Sequence, residues 1–163
     1  MVSVKVITPE GVHKARMKAA RVGDVLEAVR SKAPGLAALL LEGMTGRYYL
    51  VVKVNGADAR FQRYLDTPVS PGDKVDILVN SRDRERILKE LYLTFGRDTL
   101  GQPLLHEAGR MFGVVLNIRG ASISSRRGFA HVEVEGPSDE ISALMDWFVH
   151  NGVRVEEAGG KKI

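Results

Sequence analysis

The residues of this chain that could do chemistry are few, and their spacing argues against most of the chemistry they could do. The four histidines, His13, His106, His131 and His150, lack the i, i+4 or alternating spacing that brings two imidazoles onto one metal ion, and no acidic motif accompanies them. The sequence has no cysteine, which excludes disulfides, thiolate metal sites and cysteine nucleophiles together. Glu133 and Glu135 would share one face of a strand, as a glycosidase pair might, but an alternating solvent-facing strand puts charges there in any case. Arg126-Arg127 could hold an anionic ligand, although two arginines in a turn are ordinarily solvated. No Ser, His, Asp or Gly-rich constellation suggests catalysis. The expectation is a protein that is not an enzyme, with no catalytic residue, no metal and no cofactor.

Length and charge narrow the class. A chain of 163 residues holds one ordinary domain or two small ones. Residues 1–80 carry twelve Lys/Arg against eight Asp/Glu and residues 81–163 carry twelve of each, so the net charge of +4 lies in the first half. There it is spread along the sequence without clusters or interleaved aromatics, and a nucleic-acid partner is not expected. The opening MVSVKVITPEG has no signal-like apolar core, and no apolar run approaches the roughly 20 residues of a membrane span. The expected location is the cytoplasm, without a membrane partner.

The elements that must position these residues follow from periodicity. Val2, Val4 and Val6 alternate as in a half-buried strand, Pro9-Glu10-Gly11 reads as a hairpin turn, and a second strand runs from Val12 to Lys18. Val22, Val25, Leu26 and Val29 then fall at helical spacing, with Asp24 near the positive N-terminus and Pro34 ending the run. Gly35 to Leu41 predicts a helical turn, released by Gly43 and Gly46. Tyr48 to Val54 is apolar on both faces and reads as a central strand, followed by the Asn55-Gly56 turn. Two further turns, Asp66-Thr67-Pro68 and Pro71-Gly72-Asp73, lead to a closing strand from Lys74 to Asn80, for an order ββαββ.

Residues 81–86 (SRDRER) have no apolar side chain and read as the linker between domains 1–80 and 87–158, with 159–163 as a tail. Beyond it come a strand over Ile87–Phe95 and a helix opened by Gln102-Pro103, with Leu104, Leu105, Ala108, Met111 and Phe112 inward and Gly113 as a left-handed stop. Val114–Ser122 and Gly128–Glu135 form a hairpin. A second helix follows, with Ser138 as N-cap, Ile141, Leu144, Met145 and Phe148 inward, Trp147 at the margin of the buried face, and Asn151-Gly152 closing it. Val153 and Val155 supply a last strand. This βαββαβ order is the ferredoxin-like arrangement, two helices on one face of a four-stranded sheet, and its open face makes a homodimer a reasonable expectation.

The segments Val22-Gly23-Asp24-Val25-Leu26, Val51-Val52-Lys53-Val54-Asn55-Gly56 and Asp66 to Val75 (DTPVSPGDKV) make the first half similar to the ubiquitin-like sulfur carriers, which include the small subunit of molybdopterin synthase and the thiamine-pathway sulfur carrier. The resemblance implies a β-grasp fold and docking on a sulfur-handling or activating enzyme. Such carriers work through a flexible C-terminal Gly-Gly whose carboxylate is adenylated and becomes a thiocarboxylate. Here the corresponding place reads Ile77-Leu78-Val79-Asn80-Ser81-Arg82 and the chain continues, so no sulfur transfer is expected from this point.

Asn117-Ile118-Arg119, preceded by Phe112-Gly113-Val114-Val115 and followed by Gly120-Ala121, makes the second half resemble the NIL domain of bacterial methionine-importer ATPases. Leu91 to Phe95 and Gly152 to Val155 match its first and last strands, and Arg119 replaces the family's leucine. The resemblance implies a methionine-like ligand at a dimer interface, with Asn117 as first contact beside Ile118 and Arg119; Asn117 as a strand-end cap is the plainer alternative. Gly159-Gly160, followed by Lys161-Lys162-Ile163, is similar to the protease-trimmed tails of some ubiquitin-like carriers for homocysteine synthesis. Three expectations thus stand: a binding or carrier protein of sulfur amino-acid metabolism, an active carrier whose Gly160 becomes the thiocarboxylate after residues 161–163 are cut, and a purely structural adaptor. In the α+β fold class, all three share one architecture.

Overall fold

A computed structural model describes residues 1–38 and 47–159, and the chain divides into two compact units, the first Met1–Arg82 and the second beginning at Asp83. The first unit starts with a hairpin of β1 (Val2–Thr8) and β2 (Gly11–Met17). In β1 the alternation is realised as expected, with Val2, Val4 and Val6 buried. The helix α1 (Val22–Lys32) buries Val22, Val25 and Val29. Residues 34–38 are helical; the rest of the stretch expected to turn and release between Leu41 and Gly46 lies outside the described residues.

Strands β3 (Tyr48–Val54), β4 (Ala57–Asp58) and β5 (Lys74–Ser81) complete a five-stranded sheet of order β2-β1-β5-β3-β4. β5 runs parallel to β1 and antiparallel to β3. This is the β-grasp arrangement. It differs from the expected ββαββ by the two-residue β4 and by two 3-10 turns, Ala59–Phe61 and Tyr64–Asp66. It also gives the central position to β5 and not to β3, which meets β4 only at Lys53 and Val54. The two-faced apolarity of β3 still has its cause, because Tyr49 and Val51 on one face are buried along with Leu50, Val52 and Val54 on the other. Burying a Val or Ile contributes roughly 1.5–3 kcal/mol, whereas an exposed pair such as Arg21–Asp66 at 2.9 Å contributes at most about 1 kcal/mol. Contact between sheet and helix therefore holds this unit.

The motif segments meet as turns. Asn55 and Gly56 both adopt positive φ, 50° and 85°, as a tight hairpin turn demands. The Asn55 side chain then donates to Asp73 Oδ1 at 2.9 Å and accepts from the Lys74 amide at 2.9 Å. On the other side the Val22 amide donates to Thr67 O at 3.0 Å and the Val69 amide to Ala20 O at 2.9 Å. At Gly23 the chain passes close to the turn before Thr67, and a Cβ there would lie 3.3 Å from Leu65 O, a tight contact. Asp24 Oδ2 accepts the Ala20 and Arg21 amides, capping α1.

The second unit comprises β6 (Ile87–Phe95), α2 (Leu104–Met111), β7 (Val115–Ile123), β8 (Gly128–Gly136), α3 (Ser138–His150) and β9 (Arg154–Glu157). The sheet order is β7-β8-β6-β9, all antiparallel, which is the ferredoxin-like order. Leu91 and Leu93 of β6 and Ala130, Val132 and Val134 of β8 pack with Leu104, Ala108, Ile141, Leu144 and Phe148 from the helices, all buried. Three local expectations change. Trp147 is 3% exposed and not marginal, because its ring packs edge-on against Phe112 and Phe148 with centroids 5.9 and 5.5 Å away. Gly113 is not left-handed; α2 ends in extended backbone at Phe112, and the Gly113 amide donates to the buried Glu140 carboxylate at 2.7 Å. Ser138 begins α3 as its first helical residue, with Pro137 at the cap position.

The charged segment between the units is tied at both ends. The Arg82 amide donates to Arg47 O and its Nε to Tyr48 O, in the first unit. Arg84 pairs with Asp139 at 3.1 Å and Arg86 with Glu135 at 3.1 Å, in the second.

Two expected outcomes follow from this packing. A Cβ at Gly136 would sit 2.9 Å from Val114 Cγ1 and 3.1 Å from Gly113 O, so Gly136→Ala is expected to destabilise the second unit by about 1–3 kcal/mol, read from urea unfolding by Trp147 fluorescence. The Ala20 amide, ahead of the amide and guanidinium of Arg21, holds Asp24 below the ordinary carboxyl pKa; the Asn55 side chain, ahead of the Ser70 amide, does the same for Asp73. A depressed carboxyl stabilises fully above its unfolded pKa, about 3.9, and that stabilisation is lost as pH falls through the folded value. The unfolding midpoint of residues 1–82, followed by amide resonances, should therefore drop below about pH 4 and drop less in an Asp24→Asn, Asp73→Asn variant.

Candidate functional site

The first candidate is the end of β5. Asn80 pairs with Tyr49 and Ser81 with Tyr48, so the strand remains laddered to its last residue. Arg82 then hydrogen-bonds back to the start of β3, and the chain proceeds to β6. Where a carrier of this fold would free a glycine tail, this protein has a half-buried, hydrogen-bonded strand end and an internal peptide bond. Nothing at this position offers a carboxylate for adenylation.

The second candidate is the Asn117-Ile118-Arg119 triplet, which lies in the middle of β7 and not at a strand end. Asn117 pairs with Glu133 and Ile118 with Val132. Because Val132 faces the helices and is fully buried, Ile118 points to the helix side while Asn117 points to the opposite face. A β-bulge falls between Ile118 and Gly120, leaving Arg119 without a ladder partner on β8. Its guanidinium nevertheless returns to the face of Asn117, pairing with Glu133 at 2.6 Å. That hydrogen bond and the Glu133 charge raise the already high Arg119 pKa. The triplet is therefore split, with Asn117 and Arg119 together over Glu133 and Ile118, 57% exposed, on the other face.

Next to this pair the same face carries a group that the sequence reading did not single out. His131 stacks on Tyr92 with ring centroids 4.7 Å apart and places Nε2 3.2 Å from Glu90 Oε2. Leu88, Tyr92, Val115 and Phe129 add exposed apolar surface. The signal was available in the alternation of Phe129, His131 and Glu133 along β8, but only the register to β6 and β7 shows which residues they meet. Glu133 and Glu135 are each engaged by an arginine, Arg119 and Arg86. Arg126 and Arg127 sit in an exposed turn whose backbone is held by Ser124. Among the described residues no group of three or more His, Asp or Glu side chains could hold a metal ion, and no helix is long and apolar enough to cross a membrane.

The third candidate is the tail. After β9 the Ala158 amide donates to Glu90 O at 2.9 Å, and Gly159 follows with φ of 73°. Gly160 and Lys161 to Ile163 lie outside the described residues. From the Ala158 anchor to Gly160 there are two residues, about 7 Å of fully extended chain.

Residues 8–79 match the family model of the ThiS family, and residues 89–157 match that of the NIL domain. No curated protein matches the chain. Neither of the two is a catalytic family, and each match spans the motifs whose geometry is given above. The chain thus joins a ThiS family domain of β-grasp fold to a NIL domain.

Proposed function

We propose that this is a non-enzymatic binding or carrier protein of sulfur amino-acid metabolism. Its ThiS-like unit docks on a sulfur-handling or activating enzyme, and its NIL unit pairs with a second copy and senses a methionine-like ligand. The observation that carries the first part is the continuation of β5 through Ser81 and Arg82 into the next unit. The fold that carriers use for recognition is kept, while the terminal carboxylate that they use for chemistry is missing from it.

The second part rests on β7. Of the four edge strands among the described residues, β2 is guarded by His13, Lys14 and Arg16, β4 has two residues, and β9 has four with Arg154, Glu156 and Glu157. β7 has nine residues, no proline and a single charge, Arg119, already paired with Glu133. Val115, Ile118 and Ile123 along it are 50, 57 and 78% exposed. Such an edge favours antiparallel pairing with its own copy, which places Asn117 and Arg119 beside the symmetry axis. An amino acid bound there would offer its carboxylate to the Arg119 fork and its apolar chain to Val115.

Calorimetric titration of the full chain with methionine and with homocysteine is expected to show binding, weakened about 10- to 100-fold by Arg119→Ala or Asn117→Ala; no heat with either compound would remove the ligand. Ile118→Glu is expected to leave the fold intact and shift sedimentation to the monomer. For docking, the purified adenylating enzyme that activates sulfur carriers in the same organism should bind the chain, and absence of binding at micromolar concentration would sink that part. Intact mass from the native host is expected to retain residues 161–163 and show no replacement of oxygen by sulfur. A trimmed, sulfur-bearing species would establish the active-carrier reading in its place.

A further inference from the structure

The positive charge of the first half is scattered in sequence but not in space. On the face of the first sheet opposite α1, Ser3 lies between Arg16 and Lys74, and Lys5 lies between Lys14 and Asp76. Lys53 is next in the second row, across from Asp76. Five cations, Lys5, Lys14, Arg16, Lys53 and Lys74, thus surround one carboxylate, a local excess equal to the whole excess of residues 1–80. Among the described residues none of the five has an ion-pair or side-chain hydrogen-bond partner. Four of them, Lys5, Lys14, Arg16 and Lys74, line a shallow groove of about 480 Å³ together with Ser3 and Asp76.

The adjoining row of the same face is aliphatic, Val12, Ile7 and Leu78 in register across the three strands, with Val12 53% exposed. Strand spacing makes the second row of cations roughly 14 Å across. This is a compact patch beside an apolar strip, not a track along which phosphates could follow one another, and among the described residues of this face no exposed aromatic offers a base a stacking surface. A small anion would find no enclosed donors in so open a groove. Protein interfaces, in contrast, combine an apolar centre with complementary charge at the rim.

From this arrangement we infer that the groove between β2, β1 and β5 is a docking surface for a protein partner presenting clustered Asp and Glu side chains beside an apolar patch. It rests on the docking reading above and adds which face is used and what the partner must carry. Asp76 sets the register, because an acidic partner approaches the cations on either side of it and is repelled from the middle. The same face is closed over Tyr49 and Val51, which are buried, so the groove is confined to the end of the face where the cations stand.

The test uses the full chain, labelled for amide NMR and titrated with a leucine-flanked polyglutamate peptide, with oligothymidylate and inorganic phosphate run in parallel. The peptide is expected to shift the amides of Ser3, Lys5, Lys14, Arg16 and Lys74 and to weaken about tenfold when salt rises from about 0.05 to about 0.3 M. Lys5→Glu combined with Lys14→Glu, both outward on their strands, should abolish those shifts while leaving the rest of the spectrum in place. Shifts confined to another region, or the same footprint from oligothymidylate or phosphate at lower concentration, would overturn the inference. Binding of the activating enzyme without a peptide footprint overturns this face and keeps docking; a footprint without enzyme binding keeps the face and removes that enzyme as the partner.

Discussion

β5 is the strand on which both the fold and the function of the first unit depend. It is hydrogen-bonded to β1 on one side and β3 on the other, and its inward residues Val75, Ile77 and Val79 are at most 3% exposed. A strand held on both sides cannot release its end without breaking the sheet, so whatever follows it is fixed in direction. In a sulfur carrier that direction would aim a tail at an enzyme. Here it delivers Arg82 to Arg47 and Tyr48 and then the chain to β6. The same physical constraint that makes the fold a good presenter of a terminus has been turned to presenting a second domain.

The two units divide their surfaces differently. The first guards its edges and concentrates charge on one sheet face, where Lys5 stands opposite Lys14 on one side and Asp76 on the other. The second pairs part of its charge internally, through Arg86–Glu135, Lys89–Glu157 and Arg119–Glu133, and leaves apolar residues on its edge. The docking proposed for the first surface would act through its long-range field and the pairing proposed for the second through burial, so the two would respond oppositely to salt.

Much of the fold was legible because its signals are local. The valines of β1, the helical spacing in α1 and α3, and the Asn55-Gly56 turn each depend on residues a few positions apart. The central place of β5 was not legible, because strand order depends on long-range pairing that an alternation cannot encode. Trp147 was misplaced for a related reason: its position on the helical wheel is marginal, and its burial comes from Phe112 at the end of another helix. Gly113 was read as a helix stop from its type alone, while its amide is used by Glu140, 27 residues away. The candidate sites followed the same rule. Asn117 and Arg119 were visible as a motif, but the sequence could not show that Glu133 joins them and Ile118 does not. The basic patch was invisible, since cations at positions 5, 14, 16, 53 and 74 form no cluster until the strands pair.

The bulge at Arg119 decides which side of the sheet each residue of β7 takes. Nine residues of β7 face eight of β8, so the outward positions are odd-numbered before the irregularity, Val115 and Asn117, and even-numbered after it, Gly120 and Ser122. Removing one residue would straighten the ladder without moving any other side chain from one side of the sheet to the other. The irregularity therefore gives a long cation a place in the strand outside the ladder, while the residues before and after it keep the faces they would hold in an unbroken one.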